Sequence, residues 1–213
     1  MINQEIGSAI AAALAAMSSW EIIAVILALA YLLLAMREKI SCWYAAFAST
    51  AIYTFLFWDV NLLMESALQI FYLVMAVYGW WQWRHHRDKQ RDLHIHRWPL
   101  RTHLLVFGAV GALTLIFGYV LDTTTSAALP YLDSFTTWGA VITTVMVARK
   151  VLENWIYWFV IDGVSIYLYL DRELYLTALL FLIYVVLVVI GFFQWLAIYQ
   201  REQQSRESQA AIA

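Results

Sequence analysis

Asp162 is the one acidic residue near the centre of a long apolar stretch of this chain. If that stretch crosses a membrane, a carboxylate there costs several kcal/mol unless it faces a cavity or a partner, and such groups are functional by default. The plainer reading is a structural hydrogen bond to Ser165, Thr50 or a Tyr on a neighbouring helix. At the start of the same stretch, Glu153, Asn154, Trp155 and Trp158 occupy about one helical turn. The Asn154 amide offers two donors and one acceptor, a set suited to a ligand's carboxamide or sugar hydroxyls. Trp155 and Trp158 stand three residues apart and share a face, so they could stack on a cationic aromatic ring. Against this, Trp is common in interfacial belts and Asn is an ordinary helix cap. Gln69, Gln82 and Gln194 are uncharged amides in apolar runs; once buried they need partners, which a ligand or a neighbouring helix can supply. Tyr72 and Tyr184 could line a shared axis or simply pack between helices.

The segment RHHRDKQRDLHIHRWPLRTH, residues 84–103, holds five His and six Lys or Arg. His94 and His96 do not share a helix face and no Cys or acidic cluster completes a shell, so no metal is expected there. A basic loop that fixes topology and contacts anionic membrane lipid explains the composition better than a nucleic-acid site. Cys42 is the single cysteine, which excludes an intramolecular disulfide and any CxxC chemistry. No phosphate-cradling glycine loop, HExxH or nucleophile elbow is present, and no acid, base and nucleophile converge, so neither a cofactor nor an enzyme is expected.

The elements that must carry these residues follow from composition. Of 213 residues, 63% are hydrophobic and 13% charged, more apolar surface than one water-soluble core can hide. Apolar stretches run over 20–36, 40–58, 62–83, 104–121, 134–148, 155–170 and 174–199. These lengths fit membrane-spanning helices, which need about 20 residues. The fifth is the shortest and holds Thr136, Thr137, Thr143 and Thr144, whose hydroxyls can bond back to helix carbonyls and keep it insertable. Residues 1–19 are too weakly apolar to span, lack the basic region of a cleaved leader, and are expected to form an interfacial helix.

With seven spans, twelve of the thirteen Lys and Arg fall on one side and only Arg172 on the other. That places the N-terminus outside the cytoplasm and the C-terminus inside. Removing the fifth span would scatter the cations, so seven is preferred to six. The chain also repeats itself. At an offset of 112, residues 37–83 align with 149–195 without a gap and match at thirteen of forty-seven positions, including Trp43/Trp155, Asp59/Asp171, Gly79/Gly191, Gln82/Gln194 and Trp83/Trp195. With the span ahead of it, each copy makes a triplet of spans, and one unpaired span separates the two triplets. The second triplet therefore re-enters the membrane in the orientation of the first, as a parallel repeat.

The expected organisation is an interfacial helix (1–19), a first repeat (20–83), a basic cytoplasmic loop (84–103), a linker span (104–121), a second repeat (132–199) and a polar tail (200–213). The fold class is all-α integral membrane, three plus one plus three. A substrate site between two such halves would suit alternating access.

This architecture, with ENWIYWFVIDGVSIYLYL at 153–170, LYLTALLFLIYVVLVVIGFFQW at 174–195 and YGWWQW at 78–83, resembles the PnuC family of bacterial nicotinamide riboside transporters. The resemblance covers about residues 20–200. It implies a SWEET-like fold, a homotrimer in the inner membrane, and facilitated diffusion of vitamin precursors made one-way by a cytoplasmic ribosylnicotinamide kinase. Relatives carry thiamine or riboflavin. The substrate contacts expected on this view are Asn154, Trp155, Trp158, Asp162, Gln69, Tyr72, Tyr184, Gln194 and Trp43, the last being the repeat partner of Trp155. A carrier that uses Asp162 as a proton site is the alternative.

Overall fold

The computed structural model describes residues 2–59, 63–85, 93–125 and 129–212. These form eight helices: α1 (Ile2–Ala16), α2 (Ser19–Met36), α3 (Cys42–Asp59), α4 (Leu63–His85), α5 (Leu100–Thr124), α6 (Pro130–Ala148), α7 (Asn154–Asp171) and α8 (Tyr175–Ile212). Each of the seven apolar stretches falls essentially within one of α2 to α8. Among the described residues three helices are long and apolar enough to cross a membrane, α2, α5 and α8 over 175–209. The other four are of spanning length but carry more polar side chains. Arg87, Lys89 and Arg91 of the basic loop lie outside the described residues.

Local chemistry sets the helix ends. Ser18 and Glu21 form a capping box at the start of α2: the Glu21 N–H donates to Ser18 Oγ at 3.2 Å and the Ser18 N–H to Glu21 Oε2 at 2.6 Å. Pro130 stands in the first turn of α6, where its missing N–H costs nothing. Helices α2, α6 and α7 are closed by a left-handed residue, Glu38 (φ 52°), Lys150 (φ 54°) and Glu173 (φ 58°). In each case the next N–H reaches back five residues: Lys39 to the Leu34 carbonyl and Val151 to that of Met146, both at 3.0 Å, and Leu174 to that of Tyr169 at 2.8 Å. Glu38 and Lys150 are 112 residues apart, so the repeat extends to the backbone of its turns. In α6, Thr143 and Thr144 donate to the carbonyls of Gly139 (2.7 Å) and Ala140 (2.8 Å), which satisfies the hydroxyls inside their own helix.

The chain divides into two compact units, 11–94 and 95–213 together with 1–10. Within the first, α3 packs on both α2 and α4; within the second, α5, α6, α7 and α8 pack in sequence order. Each unit contains the same lock. Trp43 is buried and meets Trp83 edge-on, with centroids 5.5 Å apart and planes at 88°. Its ring fills the space that a side chain at Gly79 would need. In the second unit Trp155 meets Trp195 at 5.3 Å and 86°, and a Cβ at Gly191 would stand 2.6 Å from the Trp155 ring. Edge-to-face geometry is the one aromatic quadrupoles favour. The outward surface is apolar, with Leu105, Phe107, Leu115, Val186 and Phe193 all exposed, as lipid-facing helices require.

Candidate functional site: a polar stripe on α7

The buried face of α7 runs through Asn154, Trp155, Ile161, Asp162, Ser165 and Leu168. Positions 154, 158 and 162 are four apart, so Asn154, Trp158 and Asp162 stack along one side of the helix. Helix geometry gives that stripe a length of about 12 Å. It begins at the fully buried Asn154 and ends at Asp162, which is 4% exposed.

Asn154 is not the cap that its position suggested, because Glu153 holds the N-cap place and Asn154 opens the helix proper. Its Nδ2 donates to the Val151 carbonyl at 2.7 Å, while its Oδ1 is buried with no hydrogen-bond partner among the described residues. A carbonyl acceptor fixes which end of the amide is nitrogen, so Asn154 presents an acceptor to whatever approaches. Asp162 likewise makes no ion pair or hydrogen bond among the described residues, and Ser165, one of its expected partners, donates instead to the Ile161 carbonyl at 2.9 Å. Trp158 is half-buried and has no ring partner among the described residues.

The remaining candidates sit elsewhere. Trp155 and Trp43 are 2% exposed, with their rings engaged by the Trp–Gly locks, which leaves little aromatic face for a ligand. Gln194 lies on the exposed side of α8, and Tyr184, half-buried, packs edge-on to Phe181 at 5.5 Å. In the first unit Gln69 and Tyr72 are half-buried on α4, the latter against Phe71 at 5.5 Å, and Gln82 is half-buried near the helix end.

Just ahead of α7 lies an arrangement that the sequence did not disclose. The segment 95–98 is strapped to the turn 150–153: the His96 N–H donates to the Lys150 carbonyl at 3.2 Å, and the His96 carbonyl accepts from the Leu152 N–H at 2.9 Å. Glu153 accepts from Arg97 Nε at 2.8 Å and from the Trp98 N–H at 3.3 Å. The hydrogen bond to Glu153, and then its charge, raise the Arg97 guanidinium above its ordinary value and secure its protonation. His103 on α5 stands with Nε2 4.0 Å from Glu153 and Nδ1 2.9 Å from the Tyr157 hydroxyl. Residues 56 apart carry no mark of pairing in a single sequence; only the run of residue types around Glu153 was visible.

Among the described residues, helices of spanning length under an apolar outer surface mark an integral membrane protein. Residues 18–197 match the family described as nicotinamide mononucleotide transporter, and the chain belongs to that family. Among its relatives is the nicotinamide riboside transporter PnuC of Escherichia coli (strain K12), 25% identical over 204 residues and covering 84% of this chain and 85% of the relative. Another is the riboflavin/roseoflavin transporter RibM of Streptomyces davaonensis, 25% identical over 174 residues, with coverage of 80% and 81%. The fold is that of a solved structure described as the vitamin B3 transporter PnuC, with a TM-score of 0.71 at 20% identity over 92% of this chain and 88% of that one.

Proposed function

We propose that this chain carries nicotinamide riboside across a bacterial inner membrane by facilitated diffusion, with the α7 stripe as part of its binding site. The observation that carries the reading is the buried, unpartnered acceptor of Asn154, set on one helix face with Trp158 and Asp162. A riboside supplies what each group lacks. Its carboxamide N–H or ribose hydroxyls donate to Asn154 Oδ1, its positive pyridinium ring is attracted to the Trp158 face, and its charge or hydroxyls compensate Asp162. The stripe is also an argument against the phosphorylated mononucleotide, because a phosphate needs cations or clustered N–H donors and would meet a carboxylate here. Seven spans arranged three plus one plus three, with α5 as the linker and the C-terminus in the cytoplasm, are part of the same reading. So is a homotrimer in contact with membrane lipid, supplying a cytoplasmic ribosylnicotinamide kinase.

Riboflavin is the second reading, favoured by the RibM relative, whose identity to this chain equals that of PnuC. One calorimetric series on purified protein decides between them, with nicotinamide riboside, nicotinamide mononucleotide, thiamine and riboflavin as titrants. The riboside is expected to bind most tightly, and Asn154→Ala to weaken it about five- to a hundredfold, the worth of one hydrogen bond in a dehydrated site. Tighter riboflavin binding, or an Asn154→Ala protein with undiminished affinity, would count against the assignment.

A further inference from the structure

We propose that Glu153 is a positioning residue for the riboside site: its carboxylate straps segment 95–98 to the turn ahead of α7, and the strap holds the peptide that aims the Asn154 amide. The inference rests on Asn154 being a riboside contact, as read above. Glu153 occupies the N-cap of α7, where a carboxylate ordinarily accepts the free N–H groups of its own helix. It makes no such bond. Although 7% exposed as a residue, it turns to the strap and takes the Arg97 Nε and Trp98 N–H donors. A buried carboxylate with a charge-assisted bond is a strong local tie.

The tie continues through the backbone to the site. His96 bonds on either side of Val151, to the Lys150 carbonyl and the Leu152 N–H, and so fixes the Val151 peptide, which is wholly buried. The Val151 carbonyl accepts both the Asn154 N–H at 3.1 Å and Asn154 Nδ2 at 2.7 Å. That pair of bonds determines where Oδ1 points. If the strap lifts, the Val151 carbonyl is free to move, the amide can rotate, and its acceptor is no longer presented along the stripe. Arg97 is the accessible end of the chain, its side chain 61% exposed against 10% for Glu153. It can therefore be removed without opening a cavity.

The test uses the full chain in lipid nanodiscs, titrated with nicotinamide riboside, with melting curves on the same samples. Arg97→Ala and Glu153→Ala should each weaken binding roughly tenfold, the equivalent of one misdirected hydrogen bond. Glu153→Gln, which keeps an acceptor for the Trp98 N–H, should recover part of the loss. Because both residues act through one strap, the pair Arg97→Ala/Glu153→Ala should bind no worse than Glu153→Ala alone. In uptake assays the change should appear in KM, with the maximal rate nearly unaltered. If Glu153→Ala does not fold, Arg97→Ala and Glu153→Gln carry the same comparison. Unchanged affinity in those two variants with a lowered melting temperature would show a mere staple and overturn the proposal, as would losses that simply add in the pair. A wild-type protein that binds no riboside overturns the site reading and this inference with it, and is told apart because the wild type itself is silent.

Discussion

Trp155 and Trp158 are the same residue type less than one turn apart, yet their surroundings differ. Trp155 is keyed against Gly191 and Trp195, so Trp155→Ala should empty a packed site and lower stability by about 3–5 kcal/mol. Trp158→Ala should cost binding instead, by up to roughly 2 kcal/mol for a desolvated cation over the ring, with little change in melting. Paired melting and titration curves on both variants check this; a reversal of the two effects would exchange the roles. The spacing of three residues placed both rings near one face but could not separate them, because the packing partners lie 36 and 40 positions away. The repeat did hold the signal. Trp43, Gly79 and Trp83 match Trp155, Gly191 and Trp195, whereas Asn154, Trp158 and Asp162 align in sequence with Cys42, Ala46 and Thr50 of the other copy. The recurring Trp–Gly–Trp set packs in both halves, and the stripe is built from residues peculiar to one half.

At the scale of elements, hydropathy located the cores of α2 to α8 because lipid rewards apolar length, but it misplaced ends. Helix α5 starts at Leu100 and α8 continues to Ile212, through residues expected only as a polar tail, since backbone hydrogen bonds persist wherever nothing interrupts them. The strap at 95–98 was invisible, because its bonds are long-range and made largely by the backbone. The glycines within the helices make a direct test of packing. Gly79→Ala and Gly191→Ala should each destabilise by about 1–3 kcal/mol, because the added methyl collides with a tryptophan already locked in place. Gly163→Ala, with no neighbour within 4 Å of the added carbon, should stabilise by up to about 1 kcal/mol through helix propensity. Melting temperatures in one detergent compare the three, and equal shifts would contradict the lock.

For the whole molecule, the division of charge predicts that a fluorescent reporter fused after Ala213 is active only where it matures in the cytoplasm, while a periplasmic reporter at the same place stays silent. Periplasmic activity would refute this topology. The one cation assigned to the acidic side fits this scheme, because Arg172 donates to Asp133 at 3.0 Å and ties the end of α7 to the start of α6. At 38 residues α8 is about 57 Å long, well beyond a hydrocarbon core of about 30 Å, so its far end, with Arg201 and Arg206, reaches water. The twin locks carry a consequence for descent. A scaffold copied with its own fastener in each half does not need both halves to keep the same chemistry. Positions off the fastener are free to drift in either copy, and a duplicated chain can in this way specialise one half for its cargo while the other preserves the frame.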